Sequence, residues 1–367
     1  MYLLEFAGED DRFAALEARR VATDVTRIGP GLATARGIDG VARLAFTRRA
    51  AELVGRTDAS VSSARALLSA AAVDRSGTVA VRARDVRGTA GVDTRAVERA
   101  LGRVLVDRGF AVDLEAPDHE LRAVFADDPD SDGDGISGGG SDPAGPLGGD
   151  AAFGSSTFGS DDDTFPDRTD GVCALGWLAV EARRDFAPRP TDRPFFQPGS
   201  MDPPLARALV NLAGAAPGRL VLDPMCGTGG LLVEAGLVGA DLLGTDAQAK
   251  MARGAGRNLA HYLGDRGVRH GTARADATRL PVPDGAADCV VFDAPYGRQS
   301  KIESRDVASL VEGALRESRR ATGEGGRAVL VGDRPWSDAA RDADWTVEAT
   351  HGRRIHRSLV RHVHLLR

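Results

Sequence analysis

The stretch from 219 to 246 constrains the fold of this chain more than any other. An apolar run at 220–222 ends in Asp223, and a glycine-rich turn follows at 226–230. A helix-like stretch comes next, and a second apolar run ends in Asp246. This order predicts a strand, a tight turn, a helix and a second strand.

Such a unit presents backbone N–H groups at the turn and one carboxylate at the end of each strand. Glycine allows the backbone to come close to a ligand, because it carries no side chain. Asp246 stands where a carboxylate would accept the hydroxyl groups of a ribose. The stretch therefore predicts a site for a nucleoside-type cofactor, and on this pattern alone the cofactor could be NAD.

Apolar runs and helix patterns alternate from 219 onward, which predicts a parallel sheet with helices on both faces. The last two strands are expected to form an antiparallel hairpin at the edge of the sheet. The predicted strands are 219–223, 241–246, 268–275, 288–293, 327–332, 345–349 and 357–366, and the predicted helices are 203–213, 229–238, 247–264 and 304–321.

Two more carboxylates follow predicted strands of this sheet. Asp276 and Ala277 come after the third strand, and the sequence Asp293-Ala294-Pro295-Tyr296 comes after the fourth. Loops at the carboxyl ends of parallel strands share one crevice, so we expect the acidic strand ends to converge. Four carboxylates suit a neutral or cationic nucleoside better than NAD, because a pyrophosphate binds at a helix N-terminus without carboxylates nearby.

Composition excludes several classes of protein. A chain of 367 residues suits two or three domains, and no run of about 18 apolar residues indicates a membrane span. No signal peptide is visible at the start of the sequence. The three cysteines are far apart, so we expect neither a disulfide framework nor a metal cluster, and a cytoplasmic location.

The basic residues are almost all arginine. Lysine occurs only at Lys250 and Lys301 among 47 basic residues, and the formal net charge is −6. Many aspartates and few lysines indicate a cytoplasm of high salt. A GC-rich genome is the competing explanation for the excess of arginine over lysine. At high salt, RNA recognition depends on shape, stacking and forked arginine contacts, so an acidic total does not exclude RNA as a partner.

The amino-terminal half is expected to be α+β. A helix is predicted over 11–23 and a strand over 41–46. A strand over 78–84 follows, and then a helix over 95–108 with Thr94 as its N-cap. The predicted domains are an N-terminal subdomain (1–55), a small α/β domain (56–180) with a flexible acidic insertion (126–170), a linker (181–200) and the domain with the parallel sheet (201–367).

The motifs resemble those of known families. DPMCGTGG, Asp246, Asp276 and DAPYG are similar to the Rossmann-like methyltransferases that use S-adenosylmethionine to modify exocyclic amino groups. The segment from 81 to 122 resembles the THUMP domain, an RNA-binding module. The order of all these parts is similar to the archaeal tRNA (guanine-10-N2)-dimethyltransferase family, across almost the whole chain except the acidic insertion.

The resemblance implies roles for individual residues. The Asp293 carboxylate and the Ala294 carbonyl would hold the amine, Pro295 would keep residue 294 extended, and Tyr296 would stack on the base. The residues implied in binding S-adenosylmethionine are Asp223, Pro224, Cys226, Gly227, Gly229, Asp246, Asp276 and Ala277, and those implied in binding tRNA are Arg82, Arg84, Arg87 and Arg298. Some enzymes of this type act with a small zinc-binding activator protein.

Several alternatives stay open from the sequence. The motif around Asp293 serves adenine N6 and cytosine N4 equally well, so guanine N2 comes from the family resemblance alone. Ala294 stands where the common pattern has a first proline, but a backbone carbonyl does not depend on the side chain. The competing functions are a guanine-N2 methyltransferase acting at another tRNA position, a tRNA-binding protein without catalysis, and a DNA amino-methyltransferase.

Overall fold

The computed structural model describes residues 1–127, 171–295, 304–356 and 359–367. Their contacts divide the chain into two compact units. The first unit consists of Met1–Thr26, Ala33–Ala51 and Ala179–Arg367, and the second consists of Arg27–Leu32 and Glu52–Leu178. Nearly all of the predicted acidic insertion lies outside the described residues, and the domain boundaries given above stay predictions.

Fifteen strands and eight α-helices occur among the described residues. The strands are β1 (Tyr2–Phe6), β2 (Thr23–Gly29), β3 (Leu32–Arg36), β4 (Thr47–Thr57), β5 (Thr78–Asp85), β6 (Ala111–Val112), β7 (His119–Ala126), β8 (Val172–Glu181), β9 (Leu220–Asp223), β10 (Asp241–Asp246), β11 (His270–Arg274), β12 (Ala287–Asp293), β13 (Thr322–Gly332), β14 (Val347–His356) and β15 (Leu359–Leu366). The helices are α1 (Asp11–Ala18), α2 (Val61–Ala70), α3 (Thr94–Val106), α4 (Pro203–Ala213), α5 (Gly230–Leu237), α6 (Ala249–Leu263), α7 (Ser304–Ala321) and α8 (Ser337–Asp342).

The first unit is built around a seven-stranded sheet in the order β11-β10-β9-β12-β13-β15-β14. Strands β9 to β13 run parallel, and β15 runs antiparallel to both β13 and β14. Neighbouring residues of β9 face opposite sides of this sheet. Val221 belongs to the same apolar core as residues of α4, α5 and α6, whereas Leu222 belongs to the core with α7 and α8. The predicted doubly wound sheet with an antiparallel edge hairpin is confirmed.

Helix α4 illustrates how local sequence sets an element of this unit. Prolines stand at its first two positions, where their missing N–H groups cost nothing, and Gly214 ends it in the left-handed conformation. Leu205, Leu209 and Leu212 recur at helical spacing and are buried. The helix has the bounds that the sequence predicted.

In the second unit, part of a mixed sheet has the order β8-β7-β5-β6. Strand β5 runs parallel to β6 and β7, and β8 is antiparallel to β7. Val97, Leu101 and Leu105 of α3 are buried in the same core as residues of β5, β7 and β8. Arg82 and Arg84 are half-buried on β5, and Arg87 is exposed in the turn that follows.

Three local predictions in the amino-terminal half were wrong. The expected strand at 41–46 is a single 3₁₀ turn over Val41–Arg43, because Gly40 has a φ of 94° and redirects the chain. Helix α1 ends at Ala18 rather than at 23. Asp93 caps α3 in place of Thr94, since its carboxylate accepts the N–H groups of residues 95 and 96.

A helix that crosses a membrane needs about 20 predominantly apolar residues. None of these helices is both long enough and apolar enough to cross a membrane.

Candidate active site

Three acidic strand ends lie on neighbouring strands of the seven-stranded sheet. Asp246, Asp223 and Asp293 end β10, β9 and β12, which are adjacent in that order. Because these strands are parallel, their carboxyl ends open on the same edge of the sheet. A cavity of about 180 Å³ lies there. Asp223 and Asp293 line it together with most of the glycine-rich turn and the segment 197–201.

The glycine-rich turn is held by the end of β10. The Asp246 carboxylate accepts the Gly227 N–H at 3.0 Å through Oδ2 and the Gln248 N–H at 2.8 Å through Oδ1. Gly227 and Gly229 have φ angles of 53° and 78°, which favour glycine. A Cβ at position 229 would also lie 3.1 Å from the Cβ of Ala255. The turn therefore needs glycine for both its conformation and its packing.

Asp223 is buried directly beneath the turn. Its carboxylate accepts the Met225 N–H at 3.0 Å, and only 2% of the residue is exposed. Burial raises the pKa of Asp223 well above its ordinary value of 3.8, and the negative charges of Asp246 and Asp293 act in the same direction. A cationic group bound in the cavity would offset this cost, whereas a second anion would add to it.

Asp293 belongs to the catalytic set predicted from the sequence, and it lines the cavity. Its Oδ2 lies 3.6 Å from Nη2 of Arg361, a buried residue of β15. The N–H of Ala294 donates to the carbonyl of Val331 on β13, at 2.8 Å. The chain is thus fixed on both sides of the Asp293–Ala294 peptide. Pro295 is half-buried, and the predicted Tyr296 and Arg298 lie outside the described residues.

Asp276 and Ala277 do not line this cavity in the part of the chain that the structure describes. The Asp276 carboxylate accepts the N–H and the hydroxyl of Thr278, both at 2.9 Å, and closes its own turn. The Asp276 side chain lines a separate depression beside α7, and Ala277 is buried in the core on that face of the sheet. Their predicted role stays a prediction, whereas Asp223, Cys226, Gly227 and Asp293 line the cavity together.

Sequence reasoning missed the residue that joins the segment before α4 to the glycine-rich turn. Asn258, buried on α6, accepts the Phe195 N–H and donates to the carbonyls of Phe195 and Thr228, each at 2.9 Å. The hydroxyls of Ser200 and Thr228 lie 3.1 Å apart and form a second connection. An asparagine on the apolar face of a helix was the available signal, because a buried amide needs hydrogen-bond partners.

The geometry fits a nucleoside cofactor with a compact charged end. The N–H groups of Gly227 and Gly229 are used to hold the turn, by Asp246 and by the carbonyl of Cys226, so Asp246 is placed directly beside the turn. Helix α5 begins at this turn without a side-chain cap, and its first two residues, Gly230 and Leu231, line the cavity. Among the described residues, no group of histidines, cysteines and carboxylates could hold a metal ion.

The sequence of this chain is similar to a family model and to known proteins. Residues 190–362 match the family model described as the RMKL-like methyltransferase domain. A tRNA (guanine(10)-N2)-dimethyltransferase of Methanothermobacter thermautotrophicus is 31% identical over 291 residues, which are 78% of this chain and 72% of that protein.

Two further relatives align over shorter stretches. A tRNA (guanine(10)-N2)-dimethyltransferase of Methanocaldococcus jannaschii is 36% identical over 48% of this chain and 49% of its own length. A human tRNA (guanine(6)-N(2))-methyltransferase is 29% identical over 37% of this chain and 29% of its own length. Both of these alignments span at most about half of the relative.

Proposed function

Since this chain belongs to the tRNA (guanine(10)-N2)-dimethyltransferase family, we propose that it methylates the exocyclic N2 of guanosine 10 in tRNA, twice in succession. It is an S-adenosylmethionine-dependent methyltransferase, and its substrate is a guanosine of tRNA. The single observation that carries the proposed mechanism is that Asp293 lines the same cavity as the glycine-rich turn. This supports a mechanism in which the Asp293 acceptor stands beside the site of the methyl donor.

The proposed binding of the cofactor uses the geometry of the turn. S-adenosylmethionine supplies a methyl group on a positively charged sulfonium. The Asp246 carboxylate accepts the ribose hydroxyls, and the turn at 226–230 surrounds the amino-acid end. The carboxyl groups of Asp223 and Asp293 line the cavity, and a bound cation there would offset the cost of ionising the buried Asp223.

The proposed chemistry depends on two acceptors at the end of β12. An exocyclic amine conjugated to a purine is a poor nucleophile, because its lone pair is delocalised into the ring. In the first transfer the Asp293 carboxylate and the Ala294 carbonyl accept hydrogen bonds from its two N–H groups and turn the lone pair toward the methyl group. The N–CH3 bond forms as the S–CH3 bond breaks, and S-adenosylhomocysteine leaves. In the second transfer the one remaining N–H donates to one of these two acceptors. Asp293 then takes the proton that the methylated nitrogen releases. Arg361 holds the Asp293 carboxylate from the side of β15.

Replacing Asp293 with alanine tests this mechanism. We expect methyl transfer to a tRNA transcript to fall at least about 100-fold, the size of effect seen when one stabilising group is removed from an active site. Affinity for the transcript should stay within about threefold. Asp265→Ala is the matched control, because Asp265 is an exposed carboxylate on the loop after α6. Wild-type transfer by the Asp293→Ala enzyme would disprove the role of Asp293.

The position and the product need a separate experiment. Mass spectrometry of digested transcripts should detect N2-methylguanosine and then N2,N2-dimethylguanosine, and a transcript with adenosine at position 10 should remain unmodified. Modification that persists in this transcript favours action at another position, as in the human relative. Transcript binding without cofactor binding or transfer favours a tRNA-binding protein.

The same proposal includes a cellular compartment and a partner protein. We place the reaction in the cytoplasm, where tRNA is available. We also propose that a small zinc-binding activator protein assists it. The activator is tested by measuring transfer by the purified chain with and without such a protein. An unchanged rate would remove the activator from the proposal.

A further inference from the structure

A groove in the second unit collects most of the large apolar side chains that stay exposed. Among the described residues five large hydrophobic side chains are exposed, and three of them, Val106, Val112 and Leu114, line this groove. Its other walls are α3 and β5, and its volume is about 620 Å³. A cluster of exposed apolar side chains marks a binding surface, because on most soluble domains such side chains are scattered.

One side of the groove is a row of arginines on α3. Arg95, Arg99 and Arg103 are exposed and follow one another at a spacing of four residues, which places them on one face of the helix. Like charges at this spacing repel each other and destabilise a helix. In total four arginines and two carboxylates line the groove, which gives it a net charge of two positive. An anionic occupant would offset the repulsion along the helix.

The chemistry of the groove suits an acidic peptide better than RNA. Proteins hold single-stranded RNA through aromatic side chains on which the bases stack, as well as through contacts with phosphates. None of the described residues that line the groove is aromatic. Its floor is aliphatic, with Val79 and Val81 beside the exposed side chains. Such a floor fits the apolar side chains of a peptide, while the arginines fit its carboxylates.

The chain itself contains a segment with this chemistry. Residues 128–170 lie outside the described residues, and their sequence has eleven aspartates and one arginine. Within it, the stretch 153–165 holds three phenylalanines, three consecutive aspartates and no basic residue. Its charge and its apolar side chains therefore complement both features of the groove.

The attachment of this segment keeps it within reach of the groove. Strands β7 and β8, which flank it, are paired at their near ends. Phe125 of β7 pairs with Asp85 of β5, and Arg82 lies three residues, or about 10 Å, back along β5. The six residues from 165 to 171 span up to about 20 Å. Tethering gives the segment an effective concentration of about millimolar, so weak contacts are sufficient.

We infer that the segment 153–165 binds in this groove, with its phenylalanines on the aliphatic floor and the aspartates at 161–163 on the arginine row of α3. The inference does not depend on the proposed function, because the groove is lined by the second unit alone. Binding covers the three exposed apolar side chains and brings negative charge to the arginines. The apolar contacts are not screened by salt, whereas exposed ion pairs are.

Photo-crosslinking in the full chain tests this placement. Phe158→p-benzoylphenylalanine introduces a photoreactive aromatic side chain, and mass spectrometry identifies the residues to which it links. We expect links within one chain, to α3 and to 112–114. Leu147→p-benzoylphenylalanine is the control, because position 147 belongs to the same acidic segment but lies outside the proposed binding stretch. Its yield of links to the groove should be lower.

Charge variants test the role of the arginine row. Asp161→Asn, Asp162→Asn and Asp163→Asn together remove three negative charges with almost no change of shape. The loss of three exposed ion pairs predicts an equilibrium constant for docking that is roughly 3- to 100-fold lower, and the yield of links to the groove should fall with it. Arg99→Ser should lower the yield as well. Arg65→Ser, on an exposed arginine of α2 outside the groove, should not.

Three results would overturn the inference. Links spread over the whole surface, or an unchanged yield in the triple variant, would mean that the segment does not occupy the groove. Links between two chains, visible as a dimer on a denaturing gel, would assign the groove to a second copy. A tRNA transcript with 4-thiouridine in place of uridine would assign the groove to RNA if it links there equally in wild type and in the triple variant.

Discussion

Replacing Asn258 with alanine tests how the wall of the cavity is held in place. The amide of Asn258 makes three buried hydrogen bonds of 2.9 Å, to the N–H and the carbonyl of Phe195 and to the carbonyl of Thr228. Alanine leaves these three backbone groups without partners. At about 1 kcal/mol for each hydrogen bond, we expect the free energy of unfolding to fall by about 3 kcal/mol.

This loss is large enough to measure by two routes. For a unit of this size, about 3 kcal/mol corresponds to a decrease in Tm of about 6–12 °C. Urea unfolding should give the same free energy through a lower midpoint at constant slope. Because Phe195 begins the segment that continues to the cavity at Gln197 and Met201, affinity for S-adenosylhomocysteine should also fall. Arg253→Ala is the matched control on the same helix, and we expect it to stay within about 0.5 kcal/mol of wild type.

A second variant at this position separates the donor from the acceptor. Asn258→Asp keeps an oxygen for the Phe195 N–H but turns a negative oxygen toward two carbonyls. At about pH 8 it should therefore be less stable than Asn258→Ala, and the difference should shrink as the pH falls and the carboxylate takes up a proton. An unchanged unfolding midpoint in Asn258→Ala, or equal stability of both variants at all pH values, would refute this reasoning.

Three other substitutions probe the turn and its carboxylates. Burial raises the pKa of Asp223 above 3.8, so the folded state keeps a proton that the unfolded state has lost. The free energy of unfolding should therefore fall as pH rises from 3.8 toward the raised pKa. In Asp223→Asn, urea unfolding from about pH 4 to pH 8 should show a smaller dependence of this free energy on pH, because the contribution of Asp223 is gone. Gly230→Ala places a methyl group 2.8 Å from Nη1 of Arg193 and should weaken calorimetric binding of S-adenosylhomocysteine, whereas Gly271→Ala, with nothing within 4 Å, should not. Asp246→Ala removes the acceptor for the Gly227 N–H, and calorimetry should show at least about tenfold weaker binding of S-adenosylhomocysteine. An affinity equal to that of wild type would contradict the proposed role of Asp246.

The parallel sheet was predictable because its signals are local. Each strand from β9 to β12 is a segment of four to seven residues that ends in a carboxylate or at a turn. The helices between these strands carry apolar residues at helical spacing. The error at 41–46 has a local cause as well. Val41, Leu44 and Phe46 read as an extended apolar pattern, but the backbone turns at Gly40, and these residues are buried without forming a strand.

The parts of the site that the sequence did not predict depend on contacts between distant residues. Asn258 acts on Phe195, 63 positions away, and on Thr228, 30 positions away. Arg193 stands in a stretch that was expected to be a linker, and its burial against Gly230 follows from tertiary packing. Asp276 had the expected place after β11, but its carboxylate closes a local turn with Thr278. A motif therefore identifies strand ends, whereas packing decides which side chains reach the cavity.

In the proposed mechanism, the sheet rather than the loops would set the distance between the methyl donor at the glycine-rich turn and the amine acceptors after β12. Register pairs Leu222 of β9 with Val290 of β12, so Asp293 extends two residues, or about 7 Å, beyond the level of Asp223. Both oxygens of Asp246 already accept a backbone N–H, and a carboxylate has about four lone-pair positions, which leaves about two for ribose hydroxyls. These bonds order the turn during folding, so less order has to be imposed when the cofactor binds. In the proposed mechanism, in-line methyl transfer requires fixed separation of the reacting atoms, and two adjacent strands of one sheet would provide it.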